Sequence, residues 1–166
     1  ENRGDKLFSK KELKSYLKLS TINFFIKYKC LKTESILIFM EHRALIASHH
    51  EVSLYTFSRI FSMEEEITCD LARNKQSALE LAKKNNYHLY LVEANLEYPM
   101  SEDIGNMLEI YRLVEERVKS KSARFIAISA TNSALENARK EGIEAINKLD
   151  MGYDYLIGLT KEVLKI

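Results

Sequence analysis

From residue 43 onward, short apolar runs alternate with longer stretches whose apolar residues recur at helical spacing, and this alternation constrains the fold most. Residues 44–47, 67–69, 87–92, 125–128 and 143–146 are too short for helices and rich in aliphatic and β-branched side chains, which predicts five strands. Between them lie Leu54, Phe57 and Phe61; then Ala78, Leu81 and Ala82; then Ile104, Met107, Leu108, Tyr111 and Val118. Each set marks the inner face of a helix. Asn74 is placed to cap the second helix, and Gly142 to close the one that starts near Ser133 with a left-handed residue. A last helix over residues 153–165 points Leu156, Leu159 and Val163 inward.

Five strands alternating with five helices through short loops imply parallel strands joined by right-handed crossovers. Runs such as Leu45-Ile46-Ala47 and residues 125–128 are continuously apolar, as strands covered on both faces must be. The fold class read from this pattern is α/β, a doubly wound five-stranded parallel sheet over residues 43–166. Sites in such sheets lie beyond the carboxyl ends of the strands.

Residues 1–42 stand outside the alternation. Ser9-Lys10-Lys11-Glu12 fits a capping box opening a helix over residues 9–28, with Leu13, Tyr16, Leu17 and Phe24 on one side. A short strand is expected over residues 35–40. This helix–strand extension is too small to bury a core alone, so packing on the body, or belonging to an upstream domain, is expected. An amphipathic helix mediating dimerisation is the preferred role of residues 9–28; a simple tether is the plainer one.

Charge narrows the partners. The net charge is +1, which gives no general reason for contact with nucleic acid or an anionic membrane. Residues 1–44 hold ten Lys/Arg against five Asp/Glu, a run that a solvated helical face explains as well as a nucleic-acid arm does. No apolar run approaches the roughly 20 residues of a membrane span, and no signal peptide opens the chain. Cys30 and Cys69 lack metal-ligand spacing and are expected as reduced, buried thiols, with the cytoplasm as compartment.

The strand ends carry the chemistry. Ser48, His49 and His50 follow the first strand, Glu93, Ala94 and Asn95 the third, Ser129 the fourth and Lys148 the fifth. A carboxylate, a hydroxyl and an ammonium thus meet near one sheet edge. Gly4, Gly105, Gly142, Gly152 and Gly158 form no phosphate loop, and no Gly-x-Ser-x-Gly elbow surrounds Ser48. His49 and His50 are adjacent in sequence, a spacing that usually sends side chains to opposite sides, and no third His or Cys follows at ligand spacing. No metal and no cofactor are therefore expected.

The order of these segments resembles the receiver domains of bacterial response regulators across residues 43–166. Residues 43–47 look like the first receiver strand, and residues 87–93, followed by Asn95, Leu96, Pro99 and Met100, like the strand that delivers the phosphoacceptor. Residues 126–130 match the strand bearing the hydroxyl that orients the phosphoryl group, and residues 142–148 the one delivering the lysine. The resemblance implies a flavodoxin-like sheet of order 2-1-3-4-5. It also implies a signalling module of a two-component phosphorelay, with histidine kinase domains or other signalling proteins as partners.

The departures decide what such a module can do. By the resemblance, two acidic residues after the first strand help bind Mg²⁺, and Ser48 and His49 stand there. Glu93 stands for the phosphoacceptor aspartate, Leu149 for the proline after the lysine, and Ala145 for the switch aromatic. Ser129 and Lys148 alone keep the family chemistry. Mg²⁺ is held by carboxylates and phosphate oxygens, and without it the transferring phosphoryl charge is left uncompensated. The expectation is a pseudo-receiver: non-catalytic, without Mg²⁺-dependent phosphoryl acceptance, and acting through protein–protein interaction. An atypical phosphoacceptor using Glu93 is the alternative. Glu93 reaches far enough to pair with Lys148, either fixing the pocket in one state or acting as a plain structural bridge. The resemblance further marks the face of the fourth and fifth helices and fifth strand, with Ala145, Tyr153 and Tyr155, as a candidate interface for a partner or a homodimer.

Overall fold

The computed structural model describes residues 42–63, 67–97 and 102–165. The helix expected over 9–28, the strand expected over 35–40, and Pro99 and Met100 lie outside the described residues. Strand β1 (His42–Ala47) leads into α1 (Glu51–Met63), β2 (Ile67–Ala72), α2 (Lys75–Lys84) and β3 (Leu89–Glu93). Then follow α3 (Gly105–Lys119), β4 (Arg124–Ser129), α4 (Asn132–Lys140), β5 (Glu144–Asn147), a single 3₁₀ turn at Lys148–Asp150, and α5 (Tyr153–Val163). The five strands form one sheet in the order β2-β1-β3-β4-β5, and every pairing is parallel. Both the doubly wound class and the strand order expected from the sequence are therefore observed.

Side-chain alternation along the strands divides the core into two layers. Leu45, Ala47, Tyr90, Val92, Phe125 and Ala127 face Ala78, Ala82, Met107, Ile110, Val114, Leu135 and Ala138, so α2, α3 and α4 cover one side. Ala44, Ile46, Leu89, Leu91, Ile126 and Ile128 face Leu54, Phe57, Phe61, Leu156, Leu159 and Val163, so α1 and α5 cover the other. Two-sided burial explains why the central strands carry continuous apolar runs. All five residues of β3 are buried, and the last of them is a carboxylate, Glu93.

Local signals acted where the sequence placed them. The Asn74 side chain accepts a hydrogen bond from the Ser77 amide at 2.9 Å, and the Ser77 hydroxyl accepts one from the Asn74 amide, completing a capping box on α2. Gly142 takes φ +77° after α4, where a Cβ would be strained. β2 runs through Asp70 to Ala72, three residues past the expected end. A charged residue is tolerated there because Arg43 on the neighbouring strand binds Asp70 at 2.6 Å and the Tyr87 hydroxyl donates to the same oxygen at 2.7 Å.

Candidate functional site

Parallel pairing brings the carboxyl ends of β1, β3, β4 and β5 to one edge. The Ser48 amide donates to the Ala72 carbonyl at 3.0 Å, and the Ala94 amide to the Ile128 carbonyl at 2.8 Å, so the ladder fixes the backbone at the end of both central strands. Glu93, 2% exposed, projects from this edge with both carboxylate oxygens engaged. The Ser48 hydroxyl donates to Oε2 at 2.6 Å, and the Lys148 ammonium, presented by the 3₁₀ turn, donates to Oε1 at 2.7 Å. These are the short distances of charge-assisted bonds. The Glu93–Lys148 contact expected from the sequence is thus present, and the pocket's carboxylate is balanced by one ammonium.

Ser48 does more than fill the place of an acid. Its oxygen also accepts from the His50 amide at 3.1 Å, which folds the chain back at the start of α1. As a result His49 and His50 do not diverge as adjacent residues usually do: their ring centroids lie 3.8 Å apart. The His49 Nδ1 sits 3.0 Å from Glu93 Oε2. The contact is close but not aligned, and neither buried ring nitrogen of His49 makes a well-formed hydrogen bond. Burial holds the His49 pKa below its ordinary value of 6.5; Glu93 pulls the other way, while His50 and Lys148 add to the depression. The net effect favours the neutral imidazole.

Ser129 is fully buried at the end of β4, and its hydrogen bonds go to partners other than Glu93. Its hydroxyl donates to Asn95 Oδ1 at 3.2 Å and accepts from the Thr131 amide at 3.0 Å. Ser48, His49, Glu93 and Lys148 are in mutual contact through the carboxylate, whereas Ser129 belongs to a second pair with Asn95. The role of Asn95 was not visible in the sequence beyond its place just after a strand, because the bond joins residues that are 34 apart in the chain. On the candidate interface, Tyr153 is exposed and Tyr155 half-buried, whereas Ala145 is buried in the core between β5 and its neighbours. Ala145, 8% exposed, offers little surface to a partner in this arrangement.

The sheet order and the five covering helices give a flavodoxin-like fold of the kind that receiver domains have. Solved structures bear this out. The receiver domain of the Francisella response regulator 1452 superposes with a TM-score of 0.55 at 20% identity, covering 75% of this chain and 97% of that one. A response regulator receiver domain from Clostridium thermocellum gives a TM-score of 0.58 at 13% identity, over 75% and 94%. A response regulator from Burkholderia pseudomallei, with a phosphorylated aspartic acid, calcium ion and citrate, gives 0.54 at 19% identity, over 75% and 71%. No family model and no curated protein matches the chain. Among the described residues, no helix is long and apolar enough to cross a membrane.

Proposed function

We propose that this domain is a receiver-like signalling module that neither accepts nor transfers a phosphoryl group and that acts by contact with other signalling proteins, histidine kinase domains among them. The observation that carries this reading is the saturation of Glu93: Ser48 holds one carboxylate oxygen at 2.6 Å and Lys148 the other at 2.7 Å. Where receivers place two acids there are a hydroxyl and an imidazole, so among the described residues that meet at these strand ends Glu93 is the carboxylate, and Lys148 already neutralises it. Mg²⁺ sheds water reluctantly and is held through carboxylates and phosphate oxygens. Without it, charge on a transferring phosphoryl group goes unstabilised. Lys148 already rests on the carboxylate, so the pocket keeps one arrangement in the absence of any phosphodonor.

Fluorine NMR of the protein with Mg²⁺ and beryllofluoride tests the proposal. Free beryllofluoride resonances alone are expected. A bound resonance that disappears in Glu93→Gln would instead support the phosphoacceptor reading, in which Glu93 takes the phosphoryl group and Lys148 contacts it.

A further inference from the structure

We propose that His49, His50 and Glu93 form a binding site for a late first-row divalent metal of the Zn²⁺ type. One ligand atom from each residue lies within 4.8 Å of the other two. Around a tetrahedral Zn²⁺ with bonds of about 2.0–2.2 Å, neighbouring ligand atoms sit roughly 3.4 Å apart. Closure therefore requires the ligand atoms to draw together by about 1–1.5 Å at most, and His50 is exposed, with room to move. The ring nitrogens of His49 are buried with no well-formed hydrogen bond; buried polar atoms are nearly always partnered, and a metal at Nδ1 supplies the missing partner. Glu93 Oε2 accepts from the Ser48 hydroxyl but keeps a second lone pair, through which it can serve the metal while Oε1 keeps Lys148. The turn that brings both imidazoles together is held by Ser48, which joins the His50 amide to the carboxylate.

The ligand set chooses the metal class. Two imidazoles and one carboxylate suit Zn²⁺, Ni²⁺ or Cu²⁺, whereas Mg²⁺ requires an oxygen shell. Three protein ligands leave a fourth position for water or for a side chain of a docked partner. The site shares Glu93 with the phosphoryl-inert reading, but the two tests are separable: the beryllofluoride experiment is run with Mg²⁺ and no other divalent metal, and the Zn²⁺ titration with no phosphodonor.

Calorimetric titration of the chelator-stripped 166-residue chain with Zn²⁺, alongside visible absorption with Co²⁺ as a spectroscopic substitute, provides the test. One Zn²⁺ per chain is expected, unaffected by millimolar Mg²⁺, with Co²⁺ bands of low-coordinate geometry. His50→Ala, at an exposed position, should weaken Zn²⁺ binding at least about tenfold, and Glu93→Gln similarly. His42→Ala serves as the control, because His42 and His88 form the other histidine pair, with ring centroids 4.9 Å apart. Absence of saturable binding, binding indifferent to His50→Ala, or binding abolished by His42→Ala would each overturn the proposal.

Discussion

Replacing Glu93 by glutamine removes one negative charge and almost no volume from a position that is 2% exposed, facing a Lys148 side chain that is 14% exposed. Neither charge is well screened by solvent, so the substitution leaves an ammonium that is mostly buried and unpaired. Breaking a buried pair from one side costs about 3–5 kcal/mol. The amide oxygen still accepts from Lys148 or Ser48, which recovers about 1–2 kcal/mol. The expected net loss is about 2–3 kcal/mol, read as a fall in Tm of about 6–12 °C for a domain of this size. Lys148→Met should cost a similar amount by stranding the carboxylate. In the double variant Glu93→Gln/Lys148→Met neither charge remains, and the two losses should fall short of additivity by about 2 kcal/mol. Urea unfolding of the four proteins measures this coupling. Additivity within about 0.5 kcal/mol would refute the idea that the pair acts as a unit. If the pair also sets the signalling state, Glu93→Gln weakens constitutive partner binding; unchanged binding reduces it to scaffolding.

Further outcomes follow from neighbouring features. Glu93→Asp alone should leave Mg²⁺ affinity unchanged, whereas Ser48→Asp/His49→Asp/Glu93→Asp should bind Mg²⁺, as measured by calorimetry. Burial holds the His49 and His88 imidazoles below 6.5; His42 and Arg117 add to the depression at His88, while at His49 Glu93 opposes it and His50 and Lys148 reinforce it. A base with a lowered folded pKa takes up protons more readily when unfolded, so stability should decline as pH falls from 7 towards 5, below the unfolded value near 6.5. Thermal melts across that range check this, and a rise in Tm on acidification would contradict it. Asn74→Ala removes the capping box on α2 and should cost about 1 kcal/mol in urea unfolding, with no effect on the strand-edge pocket.

Much of this architecture was legible in the sequence because it rests on periodicity. Leu54, Phe57 and Phe61 marked α1 despite the aromatic and β-branched content of that segment, and the unbroken apolar runs of β1 and β4 required helices on both faces. Asn74 acted through a side chain bonded only three residues on and Gly142 through its own backbone, so both roles could be read locally. That Ser48, Glu93 and Lys148 gather at one sheet edge was legible, but their wiring was not. That Glu93 meets Lys148 followed from both lying at strand ends; that Ser48 couples the carboxylate to the His50 amide did not, since that depends on a hydroxyl's orientation. Adjacency suggested that His49 and His50 diverge, and only the turn held by Ser48 brings them together. Ser129 turns to Asn95, and Ala145 lies in the core, because cross-strand neighbours decide both. The extension of β2 through Asp70 depends likewise on Arg43 and Tyr87, which lie 27 and 17 residues away.

The most direct test of the central claim is the intact mass of the protein after incubation with Mg²⁺ and a small-molecule phosphodonor such as acetyl phosphate. A pocket whose single carboxylate is already neutralised by Lys148 predicts an unchanged mass. Stoichiometric addition of one phosphoryl group, mapped to Glu93 and absent from Glu93→Gln, would contradict it.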